Sequence, residues 1–150
     1  MRAIVFVFLI VTLSCAADLS DSLPNKSLTP GSSDPKVTLN DICIDVGSKP
    51  APKITYDTKK WVLKRYKIPA NKWSEYAVVR LIPLDLGGGS NVRNLWPQKI
   101  NSTWNSKKKK ALTDQLVHLV CFGQITLKDA RKEITGNWIE AYKKYVESVK

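Results

Sequence analysis

Histidine occurs once in this chain, at His118, and methionine only as Met1. A lone imidazole excludes any site built on two or more His, and with three Cys the chain offers no zinc-type Cys/His cluster. Glycine-rich nucleotide loops are missing too. Gly87-Gly88-Gly89 is followed by neither the Lys nor the helix that a phosphate-cradling loop requires. No Ser-His-Asp constellation is identifiable. Acidic residues are scarce, 13 Asp and Glu against 24 Lys and Arg, which leaves a net charge of +11. Past Leu13 there is no apolar run long enough to cross a bilayer. Neither an internal repeat nor a second domain is visible.

The N-terminus carries an address. Arg2 is followed by the apolar stretch Ala3–Leu13, and Ser14-Cys15-Ala16-Ala17 offers small residues for cleavage after Ala17. This pattern reads as a signal peptide over residues 1–17, and hence as a secreted or periplasmic protein. Lipoprotein processing at Cys15 is the less favoured alternative, because polar Thr12 stands where an aliphatic residue is normal. The mature chain of about 130 residues suffices for one domain with a modest core. Cys43 and Cys121 remain, an even number in an oxidising compartment, and one disulfide between them is expected; two buried free thiols are the alternative. A balance this basic favours polyanions as partners, although a basic protein with no particular partner has the same composition.

Residues 18–36 are polar, rich in Ser, Pro and Asn and without apolar period, and read as a flexible leader to a domain spanning 37–150. Val37–Val46 suggests a short strand or turn carrying Cys43. Asp57 is a cap for a helix from Thr58 to Lys67, with Trp61, Val62 and Tyr66 on one face and cations around the rest. Tyr76–Ile82 reads as a strand that stops at Pro83. Asn105 caps a helix from Ser106 to Cys121, in which Leu112, Leu116, Leu119 and Val120 form the inward stripe and Gly123 is the stop. A short helix follows Thr126 and breaks at Gly136, and a last one runs from Asn137 with Trp138, Tyr142 and Tyr145 inward. Together these elements predict a small single-domain α+β fold with helices at its C-terminal end.

Val79-Arg80-Leu81-Ile82-Pro83-Leu84-Asp85-Leu86-Gly87-Gly88, a loop, and then Asn94-Leu95-Trp96-Pro97 form the stretch around which the chain is organised. It resembles the core of small bacterial HNH-type nucleases, which reads Asp-His-Leu-Ile-Pro-Leu-Glu-Leu-Gly-Gly, a loop, and Asn-Leu-Trp-Pro. The similarity extends more weakly from Leu28 to the C-terminus, including Leu28-Thr29-Pro30-Gly31 and Ile42-Cys43. What the resemblance implies is a ββα core around one divalent cation, with a His as general base, an Asn that orients it and a metal ligand on the following helix. Carried over residue by residue, the acid position is Val79, the base position Arg80, the orienting residue Asn94, and the helix ligand Lys107.

These departures have chemical consequences. Arg stays protonated and cannot serve as a base, Val79 offers no oxygen, and Lys107 repels a cation. No cofactor is therefore expected, and a divalent cation such as Mg²⁺ only if nuclease activity is retained. The changes share a direction, since they turn a metal-holding pocket positive. Arg80, Arg93, Lys107, Lys108, Lys109 and Lys110 then become candidate contacts for DNA, RNA or another polyanion. Four consecutive lysines at a helix N-terminus are locally unfavourable, as a solvated face or as a phosphate site. Trp73, Trp96 and Trp104 could stack on bases, with Trp96 better read as core. Three functions follow: an impaired HNH-like protein that binds polyanions, an active metal-dependent nuclease with a displaced set of Asp85, Asn94 and His118, or a secreted module directed at another protein.

Overall fold

The computed structural model describes residues 22–44 and 52–148. The expected signal peptide, its expected cleavage site and Cys15 lie outside the described residues, as do most of the 48–53 connector and the end of the Val37–Val46 segment. The chain forms helix α1 (Leu39–Cys43), α2 (Tyr56–Arg65), a 3₁₀ turn (Ala70–Glu75), strand β1 (Tyr76–Arg80), β2 (Leu95–Lys99), α3 (Ser106–Cys121) and α4 (Leu127–Tyr142), extended by a π-helical turn (Lys143–Glu147). The fold is thus α+β, a small single domain with helices at its C-terminal end.

β1 and β2 pair antiparallel in a two-stranded sheet, with Val79 opposite Trp96 and Arg80 opposite Leu95. Strand alternation sorts the side chains into two faces. Val78 and Leu95 join Val62 and Leu63 of α2 in one apolar cluster, bordered by Tyr66, Ile68, Trp73 and Tyr76. Ala77, Val79, Trp96 and Gln98 lie on the other face. The larger core sits between α3 and α4, where Leu112, Leu116 and Val120 meet Ala130, Ile134, Trp138 and Ile139. Ile82 and Leu86, from the loop between the strands, close that core. A sheet of two strands is marginal alone, and helices on both sides supply the burial it needs.

Three expectations are corrected. The segment at Cys43 is helical, because Thr38 and Asp41 form a reciprocal capping box that starts α1. The cap of α2 is Thr55, whose hydroxyl accepts from the Thr58 N–H, and the buried side chains are Val62 and Leu63 while Trp61 is half exposed. Residues 22–36 are not a flexible leader. Ser22 and Thr29 are buried. The Trp138 indole donates to the Ser22 carbonyl at 3.0 Å, and the Thr29 hydroxyl donates to the Leu95 carbonyl at 2.8 Å. Polar hydrogen bonds rather than an apolar stripe hold this segment, so hydrophobic period could not reveal it.

This segment also explains the glycines. Ser33 bridges Gly88, the Asp34 N–H donates to the Gly87 carbonyl at 2.9 Å, and the Gly89 N–H to the Ser32 carbonyl at 2.8 Å. A Cβ on Gly88 would lie 1.8 Å from the Ile82 carbonyl oxygen, and Gly87 sits at φ +73°. The close backbone approach therefore excludes a side chain at Gly88. In α4 the break falls at Asn137 (φ −154°, ψ 98°), whose side chain caps the continuation by accepting from the Ile139 and Glu140 N–H groups. Cys43 and Cys121 form a disulfide with Cα atoms 5.5 Å apart, tying α1 to the end of α3.

Candidate functional site

Strand, loop, strand and helix converge on a cleft between the sheet face of Val79 and Gln98 and the first turns of α3. Its cavity is about 170 Å³, and its lining also includes Pro83, Asp85, Ser106, Lys109, Lys110 and Thr113. Asn105 starts α3 by accepting from the Lys107 and Lys108 N–H groups. From there the helical period sends position 109 inward with Leu112, Thr113 and Leu116.

Lys109 is the unusual group. Only 6% of its surface is exposed, and its Nζ donates to the Arg80 carbonyl at 2.8 Å. Among the described residues no carboxylate lies within ion-pair distance of it. Burial pushes its pKa down to about 7. Beside it the Gln98 amide nitrogen donates to the Trp104 carbonyl at 3.1 Å, which leaves Oε1 turned the other way, buried and without a partner.

The four lysines do not act as one cluster. Lys107 is exposed. Lys108 places its Nζ 4.2 Å from the centre of the Trp104 ring, a cation–π contact. Lys109 is in the cleft, and Lys110 binds both oxygens of Asp114 at 2.8 and 2.9 Å, which raises its pKa. Asn105 already accepts from two N–H groups of the helix start, so those two donors are taken within the chain.

Arg80 lies on the α2 side of the sheet, opposite Val79. Its guanidinium donates to the Pro52 carbonyl at 2.7 Å and reaches the Ser90 hydroxyl at 3.5 Å, while its Nε is buried without a partner. Desolvation lowers its pKa. Arg80 is not in the cleft lining, and its carbonyl meets that lining through Lys109. Arg93 is exposed, and its carbonyl accepts from the Gly31 N–H at 3.2 Å. Asn94 is fully buried and clamps the loop. Its Oδ1 accepts from the Ile82 N–H, and its Nδ2 donates to the Ile82 and Gly89 carbonyls, each at 2.9 Å. It makes no hydrogen bond to the Arg80 side chain. His118 lies on the exposed last turn of α3, 4.4 Å from the Phe122 ring centre, and is not brought to Asp85 or Asn94.

Lys109, not Lys107, is therefore the α3 cation facing Val79, and Lys109 is a lining residue instead of a surface contact. Gln98 and Thr113 escaped notice in the sequence. Spacing could have found Lys109 and Thr113, since both extend the inward stripe of Leu112 and Leu116. The lining does not suit a divalent cation. It offers one carboxylate, Asp85, and a buried amine that repels metal when charged. Among the described residues no group of three or more His, Cys, Asp or Glu could hold a metal ion. Compared with known proteins, the chain matches no family model, no curated protein and no solved structure.

Proposed function

We propose that this chain is a secreted HNH nuclease-like protein, impaired in metal-dependent cleavage, that binds nucleic acid or another polyanion through exposed cations. The observation that carries the reading is the Lys109 amine in the cleft, hydrogen-bonded to the Arg80 carbonyl beside Val79. The resemblance puts a cation and its ligands in such a cleft between two strands and a helix, and this chain puts an apolar floor and an amine there. The order β1, loop, β2, α3 supports the same reading. Binding then falls to cations that reach solvent, chiefly Lys107, Arg93 and the exposed Lys59 and Lys64 of α2, with the +11 charge drawing polyanions toward them.

The test is anisotropy of the oxidised mature protein on a labelled duplex and a single-stranded RNA, from 50 to 300 mM salt. Neutralising about four phosphates gives a log–log salt slope of about −3 to −4. Affinity that is salt-independent, or absent at 50 mM, removes the polyanion reading. Plasmid nicking on the same samples with Mg²⁺, Mn²⁺ or chelator tests the other half, and chelator-sensitive nicking removes the impairment.

A further inference from the structure

The chain has five tryptophans, and the structure commits four of them to the fold. Trp96 and Trp138 are buried. Trp104 packs edge-on against Trp138 and Tyr142 and carries the Lys108 amine on its ring. The Trp73 indole donates to the Ile68 carbonyl at 3.0 Å, at the border of the apolar cluster between α2 and the sheet. Trp61 is left, with 48% of its surface exposed, and Tyr56, earlier on the same helix, is 73% exposed.

The charge around these two rings is likewise uncommitted. α2 holds Lys59, Lys60, Lys64 and Arg65 against Asp57 alone. Among the described residues none of the three lysines forms an ion pair. Helical spacing puts Tyr56, Lys60 and Lys64 on one line and Trp61 and Arg65 on the next. The Arg65 guanidinium stands over the Trp61 ring, 5.1 Å from its centre, so the ring is braced before a ligand arrives and less ordering remains for binding to impose. The inner side of α2 is already occupied, with Val62 and Leu63 packed against Val78 and Leu95. A helix that lies in a lipid surface puts such an apolar side into the bilayer, and α2 has given its own to the core. Exposed rings beside unpaired cations match a ligand that alternates flat faces with anionic groups. A nucleic-acid strand with unpaired bases is such a ligand, whereas a duplex keeps its bases stacked on one another.

We propose that the outer side of α2 binds single-stranded nucleic acid, with bases stacked on Trp61 and Tyr56 and phosphates held by Lys60 and Lys64. The proposal rests on the polyanion reading above and adds to it a site and a class of partner. The lysines supply the salt-dependent part, about 0.7 of log–log slope for each phosphate neutralised on a single strand. The rings supply attraction that salt does not screen, and it tolerates any sequence because every base has a π face.

The experiment is anisotropy of the oxidised mature protein on a labelled oligothymidylate and on an abasic strand of the same length. The wild type should bind oligothymidylate at least about fivefold tighter, the discrimination that stacking of one base provides. Trp61→Ala should remove most of that difference and leave the salt slope and the affinity for the abasic strand unchanged. Trp61→Phe, which keeps a ring, should keep most of it. Lys60→Ala combined with Lys64→Ala should weaken both strands and flatten the slope by about 1.4. Equal wild-type affinity for the two strands overturns the inference and leaves the polyanion reading standing, because both strands then bind through phosphate alone. A difference that survives Trp61→Ala also overturns it, since the stacking then lies elsewhere. Binding of neither strand removes both readings. Trp61-dependent binding to phosphatidylserine vesicles, without discrimination between the strands, assigns this side of α2 to a lipid surface instead. The comparison of strands is made on the wild-type chain, so it does not depend on how a variant folds.

Discussion

Lys109 should give the protein an unusual pH dependence of stability. Its pKa is 10.5 when exposed and about 7 in the fold. Between those values the unfolded chain holds one more proton than the native one, so unfolding becomes harder as pH rises. Below pH 7 both states are protonated, and the slope from this group vanishes with its burial penalty fully present. The slope inside the window reaches about 1.4 kcal/mol per pH unit. From pH 6 to pH 9 the group thus adds about 2–3 kcal/mol, or roughly 10 °C in Tm for a domain of this size. Lys109→Met removes the titration and keeps the volume, but it leaves the Arg80 carbonyl without its donor, at about 1–3 kcal/mol. Urea denaturation of both proteins from pH 6 to pH 9, disulfide intact, is the assay. The wild type should gain stability on the variant by about 2–3 kcal/mol across that range. Groups such as Tyr66, whose pKa burial raises, are common to both chains and cancel in the difference. Parallel curves would refute the reasoning, because they would mean that Lys109 is as well solvated in the fold as outside it.

Asn94→Ala should cost about 3–4 kcal/mol in urea denaturation and admit proteases to residues 83–93, since it strips hydrogen bonds from the Ile82 and Gly89 backbone; a loss under about 1 kcal/mol would show that the loop holds without its clamp. Asn94→Asp should be no better, because a carboxylate cannot donate to two carbonyls. Reduction, or Cys43→Ala with Cys121→Ala, should lower stability by about 4 kcal/mol, given the 78-residue separation of the two Cys. A non-reducing digest should yield the two Cys peptides linked, and an unchanged melting temperature on reduction would contradict the tie between α1 and α3.

The most legible element was α3. Asn105, Ser106 and Cys121 bound it as expected, Leu112, Leu116 and Val120 are buried, and Gly123 adopts the positive φ of a helix stop. The break before the last helix was also readable from Gly136 and Asn137. What failed to show was structure held by polar backbone contacts. Thr29, Ser32, Ser33 and Asp34 look like linker by composition, yet they bond to the Gly87–Gly89 loop and to Leu95. Capping was read one step too coarsely at α2, where Thr55 precedes Asp57, and it was overlooked at Thr38. At the site, a run of four lysines suggested one function, although neighbouring positions on a helix differ by about 100°. That rotation sends Lys107 to solvent, Lys108 to Trp104 and Lys109 to the cleft.

The same geometry limits how Val79 and Arg80, at the head of the core stretch, can work together. Val79 and Arg80 are adjacent in a strand, so they must face opposite sides of the sheet. Val79 lies in the lining of the cleft. Arg80 instead sends its cation toward α2, where Pro52 and Ser90 hold it. The cations that line the cleft, Lys109 and Lys110, both come from α3, and the Lys109 amine is buried and tied to a carbonyl. A phosphate chain too wide for a 170 Å³ cavity cannot bridge Arg80 and Lys109 through the sheet. On the proposed reading, polyanion binding would fall to exposed cations outside the cleft. Lys107→Ala and Arg93→Ala should each weaken salt-dependent binding in the anisotropy titration, whereas Gln98→Leu in the cleft should leave it unchanged. Loss of binding from Gln98→Leu, with the fold retained, would show that the cleft and the exposed cations form a single site.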